Sequence, residues 1–166
     1  MSDELKVVGP GKGRSVALGG IGAVFKLSSK DTGGLYSIVE HPLKPGALVP
    51  PHTHSNEDEV MYVLQGEIGA RVGDQELRAS AGSYILKPKG VPHTFWNSTN
   101  QPAVIMHILS PGGFEGYFAE LAELIPENGP PDFAPITELA ARYGCTFNMD
   151  WVPELERKYK VSVYAR

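Results

Sequence analysis

Gly46-Ala-Leu-Val-Pro-Pro-His52-Thr-His54-Ser-Asn-Glu-Asp-Glu59-Val-Met-Tyr-Val-Leu-Gln-Gly66 is one of two glycine-punctuated stretches whose spacing decides the fold. The other is Gly82-Ser-Tyr-Ile-Leu-Lys-Pro88-Lys-Gly90-Val-Pro-His93-Thr-Phe-Trp-Asn97. Side chains alternate along a strand, so His52 and His54 project to one side, about 7 Å apart along the chain, and can converge on one point. The polar run Ser55-Asn56-Glu57-Asp58 reads as a short turn or bulge, and Val60-Met61-Tyr62-Val63-Leu64 as the strand after it. Gly46 and Gly66 bracket the unit where turns or close backbone approach are needed. In the second stretch Pro88, Gly90 and Pro92 set a turn ahead of His93, which then leads a strand. Three imidazoles and a carboxylate form a donor set for a divalent transition metal, and open coordination positions would make such an ion a catalyst.

An alternating histidine pair alone is weak, because such pairs also decorate surfaces. The combination Gly-x5-His-x-His-x4-Glu-x6-Gly followed by Gly-x5-Pro-x-Gly-x2-His-x3-Asn is far more specific. In these two stretches the chain resembles the cupins, matching both motifs of that superfamily at every fixed position. The resemblance implies an all-β jelly-roll β-barrel with His52, His54, Glu59 and His93 as ligands inside it. It implies one divalent metal per chain, with Fe, Mn, Ni, Co, Cu and Zn all compatible with the ligands. The chain looks most like single-domain, quercetinase-like cupins with a helical C-terminal extension.

The rest of the sequence agrees. A length of 166 residues suits one domain, and 19 Gly with 14 Pro favour short strands joined by turns. Ile68, Ala70 and Val72 alternate with polar or small neighbours, Gly73-Asp74 turns the chain, and Leu77 and Ala79 resume the apolar face, as in a β-hairpin. Residues 35–40 read as a strand ending before Pro42, and residues 103–109 as one ending before Pro111. Beyond it Phe114, Tyr117, Phe118, Leu121, Leu124 and Ile125 recur at helical spacing, and a second short helix is expected from Ile136 to Tyr143, closed by Gly144. Pro153 to Tyr159 offers a further turn or two. The expected organisation is an N-terminal arm over 1–13, a barrel over 14–111 and a helical extension over 112–166 packing on the barrel or across a homodimer.

The formal net charge is −4 with no basic stripe, which argues against nucleic acid as a partner. There is no run of 18 apolar residues and no signal-peptide core, so a cytoplasmic protein without a membrane partner is expected. Cys145, the only cysteine, excludes an internal disulfide and reads as a packing residue. His41 reads as a surface or packing residue. His107 is either a core histidine or a group beside the ligands, the core reading being favoured. Alternation from Glu59 and His93 puts Met61 and Phe95 on the ligand side, as the walls of a substrate pocket that His107 also faces, while Tyr62 and Trp96 point away.

The partner such a site expects is a small molecule. A Lewis-acid site that stabilises an enolate or phenolate, with Glu59 as general base, suits a dioxygenase acting on an enol-containing or aromatic substrate. The same first steps suit a metal-assisted isomerase, cyclase or decarboxylase, and a non-catalytic binding protein is the third possibility.

Overall fold

Strict alternation of inward and outward side chains builds the long strands, in a computed structural model that describes residues 6–165. In chain order the strands are β1 (Arg14–Ala17), β2 (Gly22–Leu27), β3 (Ser37–Leu43), β4 (His52–His54), β5 (Asp58–Gln65), β6 (Glu67–Val72), β7 (Gln75–Ser80), β8 (Tyr84–Lys87), β9 (His93–Trp96), β10 (Ala103–Ser110) and β11 (Cys145–Phe147). The helices are α1 (Glu115–Leu124), α2 (Phe133–Arg142) and α3 (Val152–Tyr159). One sheet has the order β1-β2-β3-β10-β5-β8 and the other β11-β4-β9-β6-β7. The pairings between these strands are antiparallel and many join strands remote in sequence, giving the jelly roll expected. Among the described residues no helix is long and apolar enough to cross a membrane.

The inward positions of β5, β6, β9 and β10 meet between the sheets, where Met61, Val63, Ile68, Ala70, Phe95 and Ile105 are part of the central apolar cluster. The expected hairpin is present: Gly73-Asp74 joins β6 to β7, with Val72 opposite Gln75 and Gly73 at positive φ. β3 does not stop before Pro42 but runs on to Leu43. The neighbouring strand makes room for the ring with a glycine, since a Cβ at Gly22 would lie 3.0 Å from Pro42 Cγ.

The tail is helical where the apolar stripe predicts it, but it also completes the barrel. Phe114 and Tyr117 are buried, and Phe118, Leu121 and Leu124 pack partly buried against the same cluster. α2 begins before Ile136 because the Asp132 side chain accepts a hydrogen bond from the Ala134 amide, capping the first turn. Gly144, at positive φ, then releases the chain into β11, which pairs with β4. Placing residues 112–166 in a purely helical extension therefore misses a strand. Of the N-terminal arm, residues 1–5 lie outside the described residues, while Lys6 pairs with Asp31 at 2.5 Å.

α3 is held to the five-stranded sheet through Trp96, whose ring lies 4.5 Å from that of Tyr159 and which clusters with Leu48, Val152 and Leu155. The indole fits only because its cross-strand partner is Gly69. A Cβ at that position would sit 2.3 Å from the indole ring. Gly69→Ala is expected to push Trp96 off this seat and cost about 1–3 kcal/mol, as overpacking does. Chemical denaturation followed by tryptophan fluorescence measures it, and an unchanged midpoint would contradict the close fit.

Candidate metal centre

Three strands bring the four expected ligands together. β4 supplies His52 and His54, the first inward position of β5 supplies Glu59, and β9 opens with His93 directly opposite His52. One donor atom from each residue lies within 4.8 Å of all the others. Glu59 Oε1 is 3.5 Å from His54 Nε2, and Glu59 Oε2 is 3.1 Å from His93 Nε2. The turns named by the sequence do the aiming. The Gly90 amide donates to the His54 carbonyl at 2.7 Å, which ties the Pro88–Pro92 turn to β4.

Each ring is oriented by its far nitrogen. His52 donates from Nδ1 to the Pro50 carbonyl at 2.8 Å, and His93 from Nδ1 to the Val91 carbonyl at 3.0 Å. Both therefore present Nε2 lone pairs to the centre, the tautomer that metal ligation needs. His54 Nδ1 is 3.5 Å from the buried carboxylate of Glu57, and its Nε2 is buried without a hydrogen bond. An acceptor atom left unpaired in an apolar interior is costly, and an ion shared by the four residues satisfies it. Burial, then the neighbouring His93 and His54, holds His52 well below the usual imidazole range. Burial, then the Lys87 charge, lowers His93 as well. Neutral imidazoles at neutral pH are what an ion requires. The residues fit a divalent metal.

A second charged group, beside Glu59, is one that the sequence reading does not name. Lys87, fully buried, stands directly opposite Glu59 in the β5–β8 register. Its Nζ is 2.5 Å from Glu59 Oε2 and 2.9 Å from His107 Nε2. Burial lowers the Lys87 ammonium while the Glu59 carboxylate holds it up. For Glu59 burial acts upward, but Lys87, His107 and the ligand imidazoles outweigh it and keep the carboxyl well below its usual range. Lys87 shares a face with Ile85, which packs in the central cluster.

His107 does face the site, with Nδ1 3.9 Å from Glu59 Oε1, and burial holds it well below the normal range. His41, read from the sequence as a surface or packing residue, is buried. It donates from Nδ1 to the Gly22 carbonyl at 2.8 Å and lies edge-on to His107 and Phe118. Burial brings His41 down to about 4. Phe95 borders the site, 5.4 Å from His107 between ring centres. Met61 does not: it points inward but sits in the central cluster beside Val63 and Ile105, away from the cavity walls. Alternation fixes the side of a strand and not the depth along it. Tyr62 and Trp96 point away as expected, Tyr62 against Tyr84 and Trp96 against Tyr159.

The centre opens into a cavity of about 120 Å³. His41, His52, Glu59 and His107 form its polar end, and Phe95, Phe114, Phe118, Leu121, Phe133 and Phe147 are among its apolar walls. The tail thus supplies most of the aromatic wall, with Phe114 4.3 Å from His54.

The family model described as the Cupin domain matches residues 40–109. Tetracenomycin polyketide synthase protein TcmJ of Streptomyces glaucescens is 30% identical over 110 residues, which is 66% of this chain and 66% of that protein. Germin-like protein 9-3 of Oryza sativa subsp. japonica is 33% identical over 78 residues, 43% of this chain and only 35% of that protein. The chain therefore matches a minor part of the germin-like protein and just under two thirds of TcmJ. Among solved structures, the polyketide cyclase RemF of Streptomyces resistomycificus superposes with a TM-score of 0.56 at 24% identity, over 64% of this chain and 80% of that one. That likeness carries the fold.

Losing the Glu59 carboxylate should expose the cost of the buried ammonium. In the metal-free protein Glu59→Gln is expected to lose about 3–5 kcal/mol, because it strands Lys87. Adding Lys87→Met should recover most of that loss. Denaturation of the two single variants and the double variant measures the coupling, and strict additivity would show the pair to be inert.

Proposed function

This chain belongs to the cupin superfamily, and we propose that it is a metal-dependent enzyme that binds a ring compound through an enol, phenol or β-keto oxygen and moves protons on it without an external oxidant. The observation that carries this reading is the division of the cavity, whose polar groups gather at the metal end while the walls are apolar and aromatic. Its volume approaches the about 150 Å³ that accepts benzene in an apolar cavity, so it suits one ring. Likeness to TcmJ, a protein named for polyketide synthesis, supports a substrate of this chemistry. A divalent ion held by His52, His54, Glu59 and His93 would supply Lewis acidity toward the substrate oxygen.

Two imidazoles outside the ligand set complete the proposal. His41 spends its Nδ1 proton on the Gly22 carbonyl, so its Nε2, buried and unpartnered, is an acceptor. Lys87 donates to His107 Nε2, so the proton of the neutral ring sits on Nδ1, also buried and unpartnered. The cavity wall thus carries an acceptor and a donor on rings 5.0 Å apart. In this reading His41 Nε2 takes a proton from the carbon beside the oxygen and returns one to the product, while His107 Nδ1–H donates a hydrogen bond to the enolate oxygen. Lys87 keeps His107 in the donating tautomer. Glu59, fastened by Lys87, acts as a fixed ligand rather than as the base.

The dioxygenase suggested by sequence resemblance shares the binding step but consumes O₂. The donor–acceptor pair favours the non-oxidative reading, because proton transfer is the chemistry it equips. Metal-loaded protein is to be incubated anaerobically in D₂O with phenols, cyclic β-diketones and enol lactones. Deuterium exchange at the carbon next to the oxygen is expected, without oxygen uptake in parallel aerobic runs. His41→Asn and His107→Phe should slow exchange by about two to four orders of magnitude with metal content kept. Turnover that requires O₂ and consumes it stoichiometrically would overturn the proposal in favour of the dioxygenase.

A further inference from the structure

Two of the three ligand histidines are aimed by backbone, and the third is aimed by a side chain. His52 and His93 each meet the carbonyl two residues back, at Pro50 and Val91. His54 instead turns Nδ1 toward Glu57 Oε2 at 3.5 Å, with the two side chains 0% and 8% exposed. Both atoms are buried without a hydrogen bond. At that distance they are in contact but short of a charge-assisted hydrogen bond, which closes at about 2.7–2.9 Å. A buried carboxylate is costly unless a donor meets it, and the Nδ1–H of His54 is the donor within reach. Among the described residues Glu57 forms no other ion pair, whereas Glu59 has the Lys87 ammonium.

The loop that carries Glu57 is pinned on both sides. The Ser55 amide donates to the Gly144 carbonyl at 2.9 Å, which ties it to the residue before β11. The Asp58 carboxylate accepts from the Lys89 amide at 2.9 Å, which ties it to the Pro88–Pro92 turn. The ring it faces is enclosed as well. Phe114 lies edge-on to His54, and Cys145 stands opposite it across the β11–β4 pair. His54 thus presents one nitrogen to Glu57 and the other to Glu59, whose Oε1 is 3.5 Å from Nε2.

We infer that Glu57 is a positioning residue of the metal centre, an inference that rests on reading His52, His54, Glu59 and His93 as a metal site. Its carboxylate keeps the His54 proton on Nδ1, so that the Nε2 lone pair points at the other three ligands. It also makes the imidazole a stronger electron donor, as carboxylate partners of ligating histidines do. Lys87 offsets the charge of Glu59, so Glu57 supplies the buried negative charge that attracts a divalent ion.

The test takes the full chain with ¹⁵N-labelled histidine, and Zn²⁺ as the probe ion. Before Zn²⁺ is added, nitrogen–proton correlations across the rings report which nitrogen carries the proton, with His54 assigned from a His54→Gln variant. Wild type is expected to carry it on Nδ1 at His52, His54 and His93. Glu57→Leu should disturb that tautomer at His54 alone. It should also lower Zn²⁺ affinity, measured against a competing chelator at one fixed pH, by about 10–100-fold. Glu57→Gln keeps an acceptor oxygen without the charge, so it should hold the tautomer and lose about 10-fold. That variant carries the test where Glu57→Leu fails to fold. A His54 proton on Nε2 in wild type, or wild-type Zn²⁺ affinity in either folded variant, would overturn the proposal. So would a tautomer change shared by His52 and His93, which marks a general loosening. A wild-type chain that shows the Glu57-dependent tautomer yet takes up no Zn²⁺ would support the positioning of His54 and overturn the metal reading instead.

Discussion

A carboxylate and an ammonium 2.5 Å apart inside an apolar barrel set the terms for everything around them. Neither Glu59 nor Lys87 reaches water, and an isolated charge there would be prohibitive. Their pairing fixes the Glu59 carboxylate beside His54 and His93. It also assigns His107 its tautomer, because an ammonium donating to Nε2 leaves the ring proton on Nδ1. The backbone carbonyls of Pro50 and Val91 do the same for His52 and His93 from the outside. The centre is therefore organised before any ion arrives, and metal binding need not reorder it.

The part of this arrangement legible in the sequence is the part tied to local spacing. His52 and His54 share a side because strands alternate, and the glycines and prolines around them mark turns that the structure uses as turns. The stripe from Phe114 to Leu124 became a helix against the barrel for the same reason of period. What was not legible depends on cross-strand register and depth. Lys87 joins the site only when β8 is laid beside β5 and places it opposite Glu59. His41 reads as a surface or packing residue, and only β2, offering it the Gly22 carbonyl, decides between the two. Met61 shares a side with Glu59, but whether it borders the cavity is a matter of depth that alternation does not carry. β11 is too short to announce itself, and only its partner β4 makes it a strand.

The tail changes what the barrel is able to hold. β11 lies beside β4, with Cys145 opposite His54 and Phe147 opposite His52, so the ligand strand is flanked on both sides. Phe114, Phe118 and Phe133 close the cavity with aromatic surface. Such walls exclude water and strengthen electrostatic interactions at the polar end. Without this tail Phe114 would no longer lie against His54, so the chemistry proposed here belongs to the barrel and the tail together.

Everything above turns on the His52, His54, Glu59 and His93 cluster holding one ion. Elemental analysis of the purified chain, beside a His93→Ala variant shown to be folded, addresses it most directly. One divalent transition-metal ion per chain is expected in the parent, with a large loss in the variant. Full metal content in the folded variant, or a folded parent that takes up none of Fe, Mn, Co, Ni, Cu or Zn, would contradict it.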